Sequence, residues 1–210
     1  MKTKQQAQWV LETLKQVYPD AHCALIYQNP FELLIATILS AQCTDIRVNQ
    51  VTPDLFKRFP NPQAFANAEL TEIERFIHST GFFRNKALAI QESSRQIIVK
   101  HGGQVPNDMA ALTDLKGVGR KTASVVMGNA FDNPQGVVVD THISRLSQRL
   151  GLTQKKQPEA IEKDLMRLIP RKDWTLFPHL MIFHGRALCK ARKPLCLECP
   201  LAVRCPSVAE

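Results

Sequence analysis

Apolar positions recur along most of this chain at helical spacing, and almost nothing alternates as a strand would. Residues 4–17 carry Trp9, Val10, Leu14 and Val17 near one face, and Pro19 stops the helix they predict. Residues 31–41, FELLIATILSA, are apolar nearly all round, which predicts a central and buried helix. Asn29 is placed to cap it, with Pro30 at the first helical position. Residues 45–59 continue helically, and Pro53 predicts a break or restart there. Leu70, Ile73, Phe76 and Ile77 form another amphipathic stripe, which Gly81 terminates. A further helix covers 85–100 and ends at Gly102-Gly103, and a short one covers 108–115.

The rhythm changes at Asp132-Asn133-Pro134-Gln135-Gly136, a turn cluster that makes the best domain boundary. Val137-Val138-Val139 has the composition of a lone strand but reads as a short extended connector, because no partner strand offers itself. Residues 141–150, 158–169 and 173–188 predict three more helices, the last kinked at Pro178. There is no internal repeat and no low-complexity segment. The pattern alone does not decide which half the N-terminal helix joins.

A chain of 210 residues has room for one large or two small domains. Its formal charge of +8 suits a polyanionic partner, either nucleic acid or an anionic membrane surface, against the plain alternative of a merely basic protein. Membrane insertion is not expected: the longest strongly apolar run, Leu33 to Leu39, is far short of the roughly 20 residues that span a bilayer. The N-terminus, MKTKQQAQWVLETLKQ, lacks the apolar core of a signal peptide. The expected location is the cytoplasm, with the six cysteines reduced or metal-bound and not paired as disulfides.

The stretch Leu115-Lys116-Gly117-Val118-Gly119-Arg120-Lys121-Thr122-Ala123 carries the chemistry that the charge points toward. It reads as a helix, a tight turn with two glycines, and a second helix beginning at Arg120. Gly117 and Gly119 allow backbone angles and a close approach that a Cβ would block. The turn presents backbone N–H groups at a helix N-terminus, where the dipole also favours an anion, so a phosphate is the natural guest. Gly117, Val118, Gly119 and Arg120 are thus candidate DNA-backbone contacts that read no bases.

At the other end, Cys189, Cys196, Cys199 and Cys205 form C-x6-C-x2-C-x5-C. Four thiolates this close point to metal, and both zinc and an iron–sulfur cluster accept four cysteines. The single Cys-x2-Cys knuckle, with prolines after Cys199 and Cys205, favours a four-iron cluster and leaves zinc open. Between the first two cysteines lie Lys190, Arg192 and Lys193, a basic loop suited to phosphate contact or to plain solvation. Cys23 and Cys43 stand alone and read as core thiols in helical surroundings.

Two residues offer reactive chemistry. Lys121 lies on the first turn of the second hairpin helix, beside Arg120. A lysine near other cations and partly desolvated loses its proton more readily, and its neutral amine can form a Schiff base. Taken by itself, the residue reads first as a plain phosphate contact. Asp140 precedes helix 141–150, where it is well placed as an N-cap.

Four stretches in this order, LLIATILSAQCTD (33–45), LKGVGRKTA (115–123), VVVDTHISRL (137–146) and the cysteine tail, resemble those of the endonuclease III family. The resemblance spans about residues 25–206. It implies an all-α fold of two helical domains, 20–132 with a helix-hairpin-helix at about 108–131, and 1–19 plus 133–210 with the iron–sulfur loop, the active site lying in the interdomain cleft. It implies a DNA glycosylase and abasic-site lyase, working as a monomer in base-excision repair of duplex DNA that contains damaged pyrimidines or abasic sites. By the same resemblance, Lys121 matches the Schiff-base lysine, Asp140 the catalytic aspartate, and the four cysteines the ligands of a 4Fe-4S cluster. Gln42 matches the residue that fills the gap left by an extruded base. Phe82 falls where the family has an apolar wedge, often leucine, so the aromatic is a departure. Asp45 and His142 match polar residues of the pocket.

Three other functions compete, of which a small electron carrier is opposed by the basic hairpin. The mismatch adenine glycosylases share the hairpin and cluster but lack the hairpin lysine, and they place a catalytic glutamate where this chain has Thr37. A non-catalytic DNA-binding iron–sulfur protein would use Lys121 only as a phosphate contact.

Overall fold

A computed structural model describes residues 3–208, and among these every regular element is helical. The eleven α-helices are α1 (Thr3–Val17), α2 (Pro30–Ser40), α3 (Asp45–Arg58), α4 (Pro62–Asn67), α5 (Leu70–Ile77), α6 (Phe83–His101), α7 (Met109–Asp114), α8 (Arg120–Phe131), α9 (Thr141–Arg149), α10 (Pro158–Leu168) and α11 (Leu176–Ala187). Single 3-10 turns follow α5 and precede α11. Residues 137–139 form no regular element, as expected of a connector. No helix among the described residues is long and apolar enough to cross a membrane.

The chain divides into two compact units. One is the contiguous segment Ala24–Gln135; the other joins the residues up to Cys23 with those from Gly136 onward. In the contiguous unit α2 is the buried axis: Leu33, Leu34, Ile35, Ala36 and Leu39 are wholly inaccessible, and the helix packs on α3, α6 and α8. Asn29 caps it by accepting from the Glu32 N–H at 2.9 Å, with Pro30 at the first position. Phe59 and Phe65 stack at 4.9 Å, with Phe31 and Phe76 edge-on to them, and so close the end of the core where α3 meets α4.

In the split unit α1 packs on α10 and α11, and α9 on α10 and α11. Val10, Leu11 and Leu14 of α1 share one core with Ile143, Leu146, Phe177, Leu180 and Met181. Gln6 Nε2 donates to the carbonyls of Leu150 (3.3 Å) and Arg204 (3.0 Å), so the first helix is stitched to the last described turns. Lys15 reaches Asp173 at 2.9 Å.

Four expectations need correction. Pro53 neither breaks nor restarts α3. It removes one N–H, but Val48, Thr52 and Leu55 are buried on either side of it, and that packing holds the helix continuous. Pro178 sits in the first turn of α11, where an N–H has no intrahelical partner to lose, so it makes no kink. The helix expected over 173–188 starts three residues later, at Leu176, because a 3-10 turn at Arg171–Asp173 precedes it. Cys23 and Cys43 lie in connecting segments, half-buried, and not within helices.

Candidate functional site

The hairpin is built by ordinary capping and one steric constraint. Asp108 opens α7 by accepting from the Ala111 N–H at 2.8 Å. Leu115 and Val118 turn inward and are almost fully buried, and the Val118 N–H closes the turn on the Leu115 carbonyl at 3.1 Å. Gly117 has φ +77°, and a Cβ there would stand 2.5 Å from the Ala89 Cβ on α6, so both backbone and packing demand glycine. Gln96 of α6 accepts from the Lys116 N–H at 2.7 Å, and Lys100 binds Asp114 at 2.6 Å, holding that carboxyl below its usual range.

Gly119 differs from the expectation. Its φ of −87° is open to any residue, and a Cβ there would meet nothing within 4 Å. It is the N-cap of α8, and it supplies no side-chain cap to the amides of the first turn. Nothing inside the protein asks for its smallness, which leaves the turn bare toward whatever approaches from outside.

Lys121 follows on the first turn of α8. It is exposed and makes no hydrogen bond or ion pair with the described residues. The partial desolvation expected of it is therefore absent from the chain itself. Arg120 beside it is also exposed. Asp140, in the other unit, caps α9: Oδ1 accepts from the Ile143 N–H at 2.9 Å. The carboxylate is half-buried, and Oδ2 has no hydrogen-bond partner among the described residues. His142 follows on that helix, its Nδ1 3.3 Å from Arg145 Nη2. Asp45 begins α3 and is half-buried. Thr37, inside α2, spends its hydroxyl on the Leu33 carbonyl at 2.7 Å, so no acid occupies that position.

Gln42 and Phe82 are both held in the left-handed region, at φ +52° and +48°. Both are exposed, Phe82 with 63% of its surface open. Such conformations cost a non-glycine residue about 1–3 kcal/mol, and they gather where a site needs a side chain aimed against its preference.

The four tail cysteines rim one cavity with an unfilled volume of about 380 Å³, part of it open to solvent, whose walls include Arg149, His184, Leu188 and Ala202. Burial pushes the Cys199 and Cys205 thiols up, and the neighbouring thiols add to the rise. Four cysteines on one cavity are a donor set that an iron–sulfur cluster accepts. Lys190, Arg192 and Lys193 project from the loop between the first two cysteines and are exposed.

The sequence reading missed three groups that shape this centre. Arg149 donates to Cys189 Sγ (3.5 Å) and to the carbonyls of Lys190 (2.8 Å) and Ala191 (2.9 Å), bracing the basic loop from behind. Arg145, one turn earlier, donates to the Cys189 carbonyl at 3.0 Å. Their spacing of four on one helix was the available signal. His184 is buried between the Tyr18 hydroxyl (3.2 Å from Nδ1) and Cys199 Sγ (3.5 Å from Nε2), and burial lowers its pKa to about 4. A ligating thiolate can only accept, so the imidazole proton belongs on Nε2 and Tyr18 donates to Nδ1.

Comparisons with known proteins show what this chain is similar to. Residues 35–171 match the family model of the HhH-GPD superfamily base excision DNA repair proteins, and residues 189–205 match that of the iron-sulfur binding domain of endonuclease III. Endonuclease III of Synechocystis is 58% identical over 204 residues, covering 97% of this chain and 93% of its own. That of Bacillus subtilis is 46% identical over 201 residues, covering 95% and 91%. A solved structure of a trapped endonuclease III–DNA covalent intermediate superimposes with a TM-score of 0.92 at 47% identity, over 99% of this chain and 97% of the other.

Proposed function

The chain belongs to the endonuclease III family within the HhH-GPD superfamily, and from that membership we propose how its own residues carry out base-excision repair. It is a DNA glycosylase and abasic-site lyase that acts on damaged duplex DNA and carries a 4Fe-4S cluster. It works as a monomer in the cytoplasm, on oxidised or fragmented pyrimidines and abasic sites.

Duplex DNA hides both the sugar carbon C1′ and the damaged base, so the nucleotide has to leave the stack. Unstacking costs a few kcal/mol, less for a poorly stacked lesion. Gln42 and Phe82 occupy the vacancy, and their exposure and strained backbones support that role. The Gly117–Arg120 turn and the Lys190–Lys193 loop each hold backbone phosphates. Asp45 and His142, by the family resemblance, contact the extruded base.

Lys121 Nζ attacks C1′, the glycosidic bond breaks, and the base departs with a proton. Attack needs the neutral amine, and the exposed position of Lys121 leaves its desolvation to the bound DNA. Asp140 spends one oxygen on its helix and keeps the other for the positive charge that develops on the sugar. The sugar ring then opens: the C1′–O4′ bond breaks as the lysine nitrogen forms the iminium, and O4′ takes a proton. The iminium acidifies C2′; loss of a C2′ proton expels the 3′ phosphate oxygen, and the strand is cut.

The cysteines Cys189, Cys196, Cys199 and Cys205 hold the cluster. When bound it cross-links the tail and supplies an electron-transfer centre, while this chain's side chains do the bond-making.

The observation that carries the reading is an unpartnered lysine on the first turn of an uncapped helix, directly after a turn bare toward solvent. Borohydride trapping on an abasic duplex tests it. Wild type is expected to yield a covalent protein–DNA adduct and Lys121→Ala none. Absence of an adduct from wild type, with DNA affinity intact, would leave only a DNA-binding iron–sulfur protein.

A further inference from the structure

Lys86 is among the most deeply buried charged side chains of the described chain, with 6% of its surface exposed, and the chemistry derived above makes no use of it. Its Nζ donates to the Leu39 carbonyl at 2.8 Å and to the Thr80 carbonyl at 2.7 Å. Leu39 lies in the last turn of α2, where helix carbonyls lack intrahelical partners and a cation is favoured by the dipole. Thr80 ends the 3-10 turn after α5. Burial lowers the Lys86 pKa, so the fold spends free energy to keep this amine where it is.

The positions of the two carbonyls tell what the amine does. Three residues beyond Leu39 stands Gln42, and two beyond Thr80 stands Phe82, both in left-handed backbone and both exposed. The Phe82 carbonyl accepts the first backbone bond of α6, from the Lys86 N–H at 3.1 Å, a bond that does not depend on the side chain at 86. Two strained segments, 40 residues apart in sequence (42 to 82), thus share one anchor. Left-handed residues with side chains persist only where their surroundings over-determine them.

We infer that Lys86 is a positioning residue for base extrusion, its ammonium fixing the α2 end and the turn before α6 at the separation from which Gln42 and Phe82 enter the duplex together. The inference rests on the proposed roles of Gln42 and Phe82. Lys86 touches no DNA in this reading. It acts by keeping the two inserting segments in register, so that filling one vacancy from two strands needs no reordering of loops on binding.

The test compares Lys86→Met, which keeps length and apolar stem but loses the donors, with Lys86→Gln, which keeps a single amide able to bridge a carbonyl. Strand cleavage is measured on a duplex abasic site and on single-stranded abasic DNA, where no vacancy has to be filled. A 2-aminopurine opposite the abasic site reports unstacking of the orphaned base. Lys86→Met is expected to lose about tenfold on duplex DNA, with less than about twofold lost on single strands and a weaker 2-aminopurine signal; Lys86→Gln recovers part of both. Equal losses on both substrates would reduce Lys86 to a fold-stabilising group and overturn the inference. If Gln42→Ala and Phe82→Ala lose duplex activity while Lys86→Met does not, the inference falls and the parent roles stand. If neither of those variants loses duplex activity, the vacancy-filling roles fall, and the inference with them.

Discussion

Placing a methyl group on each hairpin glycine in turn separates a folding requirement from a binding one. At Gly117 the backbone has φ +77°, which costs an alanine about 1–2 kcal/mol, and its Cβ would sit 2.5 Å from the Ala89 Cβ. Overpacking of that kind costs about 1–3 kcal/mol. Gly117→Ala should therefore lose roughly 2–5 kcal/mol, a large part of the roughly 5–15 kcal/mol that typically holds a domain together. At about 3 °C per kcal/mol for a chain of this size, Tm falls by roughly 6–15 °C. At Gly119 φ is −87° and the added Cβ meets nothing within 4 Å. The gain from a stiffer unfolded chain and the weaker N-cap roughly cancel, so Gly119→Ala should unfold within about 0.5 kcal/mol of wild type. Its DNA affinity is another matter. If a phosphate rests on the turn amides, the new methyl stands in its way, and losing one charged hydrogen bond, about 1.5–3 kcal/mol, weakens binding roughly 10- to 100-fold. Urea unfolding and fluorescence anisotropy on an abasic-analogue duplex at one fixed salt concentration measure the two effects. The double variant Ala89→Gly, Gly117→Ala should recover the steric part of the loss and leave the backbone part. Gly119→Ala binding within twofold of wild type would refute the phosphate seat, and Gly117→Ala matching wild-type stability would refute the packing argument.

Three further outcomes are expected. Asp140→Asn keeps a good N-cap and should fold normally while turnover drops about 100-fold or more; Asp140→Ala should add a loss of about 1 kcal/mol in urea unfolding, and equal falls in turnover and affinity for both would make Asp140 scaffold. Replacing Lys190, Arg192 and Lys193 together with alanine should flatten the slope of log K against log salt by about 2.7, three phosphates at roughly 0.9 each; an unchanged slope means the loop touches no phosphate. Lys15→Met leaves the buried Asp173 carboxylate unpaired and should cost about 2 kcal/mol near neutral pH. Because the Lys15 pKa is raised above 10.5, chiefly by its hydrogen bond to Asp173, that difference is fully present below 10.5 and closes as pH rises beyond it. A gap between the two proteins that persists at strongly alkaline pH would show that packing, and not the ion pair, was lost.

What could be read from sequence was what depends on near neighbours. The apolar spacing of α2 and the turn residues of the hairpin act within a few positions, and so do the cysteine intervals of the tail. Helix α4 escaped because its six residues are fewer than two turns, although Asn61-Pro62 repeats the Asn29-Pro30 start signal. Pro53 and Pro178 were misjudged because what a proline does to a helix depends on its distance from the helix start and on the packing around it. Lys86, Arg149 and His184 were invisible for a different reason. Their meaning lies in partners 47, 40 and 15 residues away, which only the folded backbone brings within reach.

The stitching of α1 to the chain's last turns sets an order of assembly during synthesis. The 112 residues from 24 through 135 form their own unit and complete it as they emerge, while α1 waits. At ~5–20 residues per second that wait is roughly 6–22 s before the first residue of its partners leaves the ribosome. Through this interval Val10, Leu11 and Leu14 remain uncovered on the nascent chain, the window in which a chaperone or a neighbouring chain can reach them. The four tail cysteines emerge after all eleven α-helices, so iron delivery comes after those helices have been made.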